Sequence, residues 1–140
     1  VCRTAKTNRE KTKVTFMSTN VLLVDDAEDF TEYVQKRLKV RGMSVVSAKT
    51  GEQAVDMLKT SKVDVVVMDI RMPGMGGIRA LVEMKKICPD VAVLLLTGYA
   101  EKDIAARAVE LGAVDCLIKP VELSELIAHI EDACHARWSL

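Results

Sequence analysis

The sequence predicts an α/β protein in which a strand and a helix alternate five times, (βα)₅, around one parallel sheet. Short, nearly continuous runs of branched apolar residues recur along the chain, as in strands that are buried on both faces of a parallel sheet. Amphipathic stretches of helical period separate them. At 140 residues, with 49% apolar and only 4% aromatic residues, the chain suits one domain with an aliphatic core.

Each strand is predicted from one apolar run. The runs are Val21–Val24, Val45–Ala48, Val63–Met68, Val91–Leu96 and Val114–Ile118. Right-handed crossovers between parallel strands place helices on both faces of the sheet, so the expected architecture is a three-layer sandwich.

The helices are predicted from apolar residues at helical spacing and from the residues that begin or end them. Gly42 ends the first helix, and Thr50 with Gln53 forms a capping box that begins the second. Pro89 follows the third helix and Gly112 closes the fourth. The inward residues are Phe30, Val34 and Leu38, then Ala54, Val55 and Leu58, then Ile78, Leu81, Val82 and Ile87, then Ile104, Ala108 and Leu111, and finally Leu123, Leu126, Ile127 and Ile130.

Several protein classes are disfavoured by the composition. The longest apolar run, Val91–Leu96, is far too short to span a membrane, and no apolar signal region follows the basic start. We therefore expect a cytoplasmic protein without membrane contact. The four cysteines show no Cys-x-x-Cys spacing, which argues against a zinc site.

The start of the chain differs in charge from the rest. Residues 1–20 hold five basic residues against Glu10, a net charge of +4, and since the total is zero the remainder carries −4. We expect residues 1–19 to form a disordered basic leader and residues 20–140 to form the domain. A basic arm that contacts nucleic acid is the alternative.

Polar residues collect where the predicted strands end. Asp25 and Asp26 follow the first strand, Asp69 the third, Thr97 the fourth and Lys119 the fifth. Ligands of open α/β sheets bind at the carboxyl ends of the strands. Two carboxylates about 4 Å apart repel by about 4 kcal/mol at an effective dielectric constant near 20. The paired aspartates therefore predict a bound cation.

The motifs at these strand ends identify a family. The set Asp25-Asp26, Asp69-Ile70-Arg71-Met72-Pro73-Gly74, Thr97-Gly98 and Lys119-Pro120 resembles the receiver domain of two-component response regulators. The resemblance covers residues 20 to about 135. It implies a flavodoxin-like fold with strand order 2-1-3-4-5, and a signalling domain rather than an enzyme acting on a separate substrate.

The resemblance also implies the chemistry. A sensor histidine kinase would donate a phosphoryl group from a phosphohistidine to Asp69. The carboxylates and one lysine leave a net negative charge, and hard oxygen ligands favour Mg²⁺. Its ligands would be Asp25, Asp26, Asp69 and the backbone carbonyl of Arg71.

The remaining site residues are assigned by the same resemblance. Thr97 and Lys119 would hold phosphoryl oxygens, and the bond before Pro120 would be cis. Family members couple phosphorylation to a threonine movement and to an aromatic three residues before the lysine, where this chain has Cys116. The switch then runs through Thr97 and its loop alone, or Tyr99 takes part.

Two further predictions concern lifetime and output. Arg71 and Tyr99 lie two residues beyond Asp69 and Thr97, where their side chains would shield the acyl phosphate from water. The fourth helix, rich in alanine, would join the fifth strand and fifth helix in a movable face that binds a downstream protein.

Alternatives remain open. The chain is either a separate receiver or the receiver part of a longer transcriptional regulator, which would contact nucleic acid only through an output domain. An aspartate-nucleophile phosphohydrolase is disfavoured, because it needs an Asp-x-Asp pattern and a lid. The sequence does not decide whether Leu140 is the natural end, which kinase is cognate or whether a homodimer forms.

Overall fold

The computed structural model of the chain describes residues 19–72, 74–98 and 102–138. Its sheet has five parallel strands in the order β2-β1-β3-β4-β5. The predicted strand order is therefore confirmed. The strands are β1 (Asn20–Val24), β2 (Ser44–Ala48), β3 (Val65–Asp69), β4 (Ala92–Thr97) and β5 (Asp115–Ile118).

A helix follows each strand and returns the chain to the start of the next one. The helices are α1 (Glu28–Val40), α2 (Gly51–Thr60), α3 (Gly77–Ile87), α4 (Lys102–Glu110) and α5 (Leu123–Trp138). One core cluster packs the sheet against α2, α3 and α4, and a second packs the other face against α1 and α5. The three-layer prediction is confirmed.

The strands of the sheet centre are apolar on both faces because helices cover both. In β1, Leu22 and Val24 point into the first cluster, whereas Val21 and Leu23 point into the second. All four are at most 1% exposed. This arrangement explains why the strand runs are continuous rather than alternating.

Three strands begin later than their apolar runs: β3 at Val65, β4 at Ala92 and β5 at Asp115. Val91 belongs to the turn after α3, because its N–H donates to the carbonyl of Cys88 at 3.1 Å. Val63 likewise precedes β3. The next residue, Asp64, donates its N–H to the carbonyl of Asn20, the first residue of β1, at 2.8 Å. Both valines are nevertheless buried.

The predicted helix boundaries are close to the observed ones. Gly42 follows α1 with φ of 86°, a left-handed conformation that favours glycine after a helix. The Thr50 hydroxyl caps α2 by accepting from the N–H of Gln53 at 3.1 Å, and the Gln53 side chain accepts from Lys49 N–H at 2.9 Å.

The inward face predicted for the fourth helix is partly wrong. Ala108 is fully buried, but Ile104 is 42% and Leu111 36% exposed. The small side chain of Ala108 is the one that joins the core, whereas Ile104 lies in the first turn of this nine-residue helix and Leu111 directly follows its last residue. Among the helices of the described residues, none has the length and apolar character needed to span a lipid bilayer.

Candidate functional site

The carboxyl edge of the sheet brings two predicted carboxylates and the predicted lysine together. The Lys119 ammonium lies 2.8 Å from Oδ2 of Asp69 and 3.3 Å from Oδ2 of Asp25. Asp69 ends β3, whereas Asp25 and Lys119 directly follow β1 and β5. One cation therefore bridges groups that are 94 and 50 residues from it along the chain.

Both carboxylates are oriented by their own loops. Oδ1 of Asp25 accepts from the N–H of Ala27 at 2.9 Å, and Oδ1 of Asp69 accepts from the N–H of Arg71 at 2.9 Å. Each is a turn in which an aspartate bonds to the backbone two residues further on. The Oδ2 atoms are thereby left facing Lys119, so the two aspartates present matching oxygens to one ammonium.

The electrostatics of the cluster keep the lysine charged. Burial lowers the pKa of Lys119, but the hydrogen bond and charge of Asp69, followed by those of Asp25, outweigh it, and the net result is a raised pKa. The Asp25 side chain is only 4% exposed and that of Asp69 14%. A charge-assisted contact at such depth is stronger than one at the open surface.

Asp26, the third predicted carboxylate, lies differently. It is exposed, whereas the adjacent Asp25 is buried. Across residues 19–72, 74–98 and 102–138, no three His, Cys, Asp or Glu side chains are grouped to hold a metal ion. The Lys119 ammonium lies between the carboxylates of Asp25 and Asp69.

The donors at this edge nevertheless fit a hard divalent cation. Asp25 and Asp69 carry two negative charges against one from Lys119, and the exposed Asp26 follows Asp25 in the chain. All three supply only oxygen atoms, which Mg²⁺ prefers. These three carboxylates include no softer ligand such as a thiol or an imidazole.

Thr97 ends β4, and Lys119 directly follows the neighbouring strand β5. Thr97, 2% exposed, donates its hydroxyl to the carbonyl of Gly98 at 3.2 Å. Its own carbonyl accepts from Lys119 N–H at 2.7 Å. The Lys119–Pro120 peptide bond is cis, as the resemblance implies.

The residues predicted to tune the site are only partly described. The Arg71 side chain is exposed, and its backbone N–H is the group that orients Asp69. Tyr99, predicted as part of the switch and of the shield, lies outside the described residues, as do Pro73 and the predicted leader up to residue 18.

Cys116 stands at the predicted switch position without a ring. It is a half-buried free thiol that packs against the core cluster shared with α3 and α4. Burial, and then the charge of Asp115, raise the pKa of this thiol. A neutral thiol is a small apolar group in such a place.

Beside Asp25, a cavity of about 260 Å³ opens between α1 and β2. An ion pair between Glu28 and Lys49 crosses its wall, and the hydrogen bond and charge of Lys49 lower the pKa of Glu28. The cavity is lined by Asp25, Glu28, Thr31, Glu32, Gln35, Ser47 and Lys49. Its polar lining adjoins the acidic site.

Phe30 is a site residue that sequence reasoning assigned only to the core. Its ring lies beneath the Lys119 ammonium, with 5.5 Å between Nζ and the ring centroid. Helical spacing identified Phe30 as inward-facing, but spacing along α1 carries no information about a lysine that follows β5. Only the three-dimensional packing joins them.

Comparison with known proteins identifies the class of this domain. The profile of the "Response regulator receiver domain" family matches residues 21–131. The chain therefore belongs to the receiver-domain family of two-component response regulators. The predicted family is confirmed.

Curated relatives are longer proteins that carry such a domain. The chain is 36% identical to "Transcriptional regulatory protein ZraR" of Escherichia coli K12 over 114 residues, which are 81% of this chain and 26% of that protein. It is 39% identical to "Regulatory protein AtoC" of the same organism, covering 76% of this chain and 23% of that protein. It is 36% identical to a "Cyclic di-GMP phosphodiesterase" of Thermotoga maritima, covering 84% and 31%.

Solved structures agree with the fold. A receiver domain from Clostridium thermocellum superposes with a TM-score of 0.80 at 30% identity, covering 85% of this chain and 96% of that one. The non-phosphorylated HemR receiver domain of Leptospira biflexa gives a TM-score of 0.76 at 31% identity, covering 83% and 94%. The flavodoxin-like prediction is thus confirmed.

Proposed function

We propose that this receiver domain carries a phosphoryl group on Asp69, received from a phosphohistidine of a sensor histidine kinase. The observation that supports this most directly is the bridging of Asp69 and Asp25 by Lys119. A carboxylate at a strand end, beside a second carboxylate and one ammonium, is arranged for a reaction that needs positioning and charge neutralisation.

The transfer forms a bond between a carboxylate oxygen of Asp69 and phosphorus while the P–N bond of the donor breaks. Lys119 would turn one N–H from a carboxylate to a phosphoryl oxygen, since its ammonium already lies beside Asp69. The Thr97 hydroxyl would exchange the Gly98 carbonyl for a second phosphoryl oxygen. The Arg71 N–H holds the other side of the Asp69 carboxylate throughout.

A divalent cation completes the charge balance. Mg²⁺ would be held by Asp25, Asp26, Asp69 and the backbone carbonyl of Arg71, and it would offset the charge of the carboxylates and of the transferred group. The donor chemistry supports this assignment. Binding requires Lys119 to yield part of its contact with Asp25 and Asp69.

The output of the domain is proposed from its surface. Apolar side chains of α4 and β5 and of the segment between them are exposed: Ile104, Val109, Leu111, Val114 and Ile118. We assign these, with α5, to a face that binds a downstream protein or a second copy of the domain. We place the protein in the cytoplasm, and we regard it as a signalling domain that turns over only its own phosphoryl group.

The alternative output is a longer regulator. The chain spans 26% of ZraR and 23% of AtoC, which are named as regulatory proteins, so a receiver that controls transcription through a DNA-binding output domain is the second reading. The Thermotoga relative is named as a phosphodiesterase, so relatives alone do not select the output.

The decisive test is phosphorylation by a small phosphodonor such as acetyl phosphate, with and without Mg²⁺, followed by intact mass. Wild type should gain one phosphoryl group only with the metal, and Asp69→Asn should gain none. The matched control is Asp56→Asn, an exposed aspartate on α2, which should behave as wild type. Phosphorylation that persists in Asp69→Asn would overturn the assignment, and steady release of phosphate from an ester without kinase would favour a phosphohydrolase.

A further inference from the structure

An aromatic ring lies against the Lys119 ammonium on the side of α1. Nζ of Lys119 is 5.5 Å from the centroid of the Phe30 ring, over its face. A cation within about 6 Å of a ring centroid is attracted by the negative face of the π system. The ammonium therefore has one aromatic partner in addition to the carboxylates of Asp69 and Asp25.

The ring is fixed by the packing of its helix. Phe30 lies in the first turn of α1, four residues before Val34 and eight before Leu38, which are 1% and 0% exposed. The ring itself is half-buried and packs against the core cluster shared with α5. Since a helix places residues four apart on one face, the buried valine and leucine determine where the ring stands.

The Phe30 ring, unlike the carboxylates of Asp69 and Asp25, takes no part in the proposed reaction. Both carboxylates change charge or contacts when a phosphoryl group and a metal ion enter, whereas the ring remains unchanged. An ammonium has three N–H donors and no acceptor. A ring face that attracts the charge without supplying an acceptor oxygen allows those donors to change partners.

We propose that Phe30 is a positioning residue for phosphoryl transfer, whose ring holds the Lys119 ammonium beside Asp69 while the carboxylates change partners. This inference rests on the proposed function. The residue touches neither the acceptor oxygen nor the donor, so it acts through Lys119 alone. Its contribution to the rate of phosphoryl transfer should be kept when another aromatic residue replaces Phe30. That contribution should disappear when Lys119 is removed.

The functional test is a double-mutant cycle on the rate of phosphorylation by acetyl phosphate with Mg²⁺. Phe30→Leu keeps an apolar side chain but removes the π face, and should slow the reaction about 2- to 5-fold. Phe30→Tyr keeps the ring and should react at nearly the wild-type rate. In a Lys119→Met background, Phe30→Leu should add no further loss.

Two outcomes of that cycle would overturn the role. One is an equal loss in Phe30→Leu and Phe30→Tyr, which would show that the ring acts through packing. The other is an equal loss of rate on Phe30→Leu substitution in the wild-type and in the Lys119→Met background. Melting temperatures of both Phe30 variants identify any loss of fold.

A second experiment tests the contact without phosphodonor or metal. The chain has two phenylalanines, Phe16 and Phe30, so protein grown on 4-fluorophenylalanine with Phe16→Leu carries one ¹⁹F label, at position 30. Lys119→Met should shift that signal. Lys86→Met should not, because this exposed lysine lies on α3, which packs on the opposite face of the sheet from α1 and Phe30.

The outcomes separate the two proposals. A signal that stays unmoved in Lys119→Met would overturn the contact and with it the role of Phe30, while leaving Asp69 as the acceptor. Wild type that is never phosphorylated would overturn the proposed function even where the signal moves. The labelled protein keeps an aromatic ring at position 30, so the ¹⁹F experiment tests the contact even if Phe30→Leu does not fold.

Discussion

Nζ of Lys119 lies 2.8 Å from Oδ2 of Asp69, and this contact ties the end of β5 to the end of β3 across the intervening strand β4. The same ammonium reaches Asp25 beyond β3. The lysine thus offsets part of the negative charge of the two carboxylates. Under the proposed function, a Mg²⁺ ion would compete with this ammonium for the same carboxylates.

Lys119→Met should destabilise the domain at neutral pH, because Asp25 is buried and would lose its ammonium partner. We expect the free energy of unfolding, measured by urea titration, to fall by about 1–3 kcal/mol. We also expect Mg²⁺ to stabilise this variant more than it stabilises wild type. Lys59→Met, at an exposed pair with Asp56 on α2, is the control and should change little. Equal loss in both variants would contradict the role of burial.

The pH dependence of stability should reveal the raised pKa of Lys119. A raised pKa in the folded state means that the folded protein binds the proton more tightly than the unfolded chain. The contribution is therefore fully present below the ordinary value of 10.5 and is lost as the pH rises through the folded pKa. The stability difference between wild type and Lys119→Met should shrink as the pH rises above 10.5, measured by urea unfolding at several pH values. A difference that stays constant into that range would refute the assignment.

Gly77→Ala should damage the loop that orients Asp69. A Cβ on Gly77 would stand 2.6 Å from the Cα of Ile70, which is backbone and cannot rotate away. We expect a loss of about 1–3 kcal/mol in unfolding free energy and slower phosphorylation, because Ile70 directly follows Asp69, the proposed acceptor. Gly51→Ala, whose Cβ would meet side chains at 3.1 Å or more, should cost less, and the reverse order would disprove the steric argument.

The lifetime of the acyl phosphate should depend on the residues two positions beyond Asp69 and Thr97. Arg71→Ala combined with Tyr99→Ala should speed dephosphorylation, because small side chains leave the water path open. The measurement is the decay of phosphorylated protein by intact mass after removal of the donor. Arg79→Ala, an exposed arginine on α3, provides the control. An unchanged decay in the double variant would end the shielding hypothesis.

Phosphorylation should alter the face formed by α4, β5 and α5. Amide exchange with and without beryllofluoride should change most between Thr97 and Leu117, since α4 joins the core through the small side chain of Ala108 and buries few methylenes. Changes spread evenly over the domain would argue against a movable face. Helix α2, which is not part of that face, serves as the internal reference.

Most of the architecture follows from local patterns in the sequence. Continuous apolar runs and helical spacing predicted the strands, the layers and the helix ends. Strands that are buried on both faces of a parallel sheet are apolar at consecutive positions, and this pattern is visible in the sequence. The strand ends then predicted which side chains share an edge, and the motifs Asp25-Asp26 and Lys119-Pro120 identified the family. Each of these signals lies within a few consecutive residues.

Contacts that depend on tertiary structure were beyond such reasoning. Helical spacing treated Ile104 as inward, although the short α4 buries mainly alanine. No periodicity separates Asp25, which is buried, from Asp26, which is exposed. Nor does any pattern place Phe30 under Lys119. The sequence by itself determined which groups gather at the carboxyl edge, while tertiary structure decided which of them touch, because that depends on helix docking and side-chain reach between distant strands.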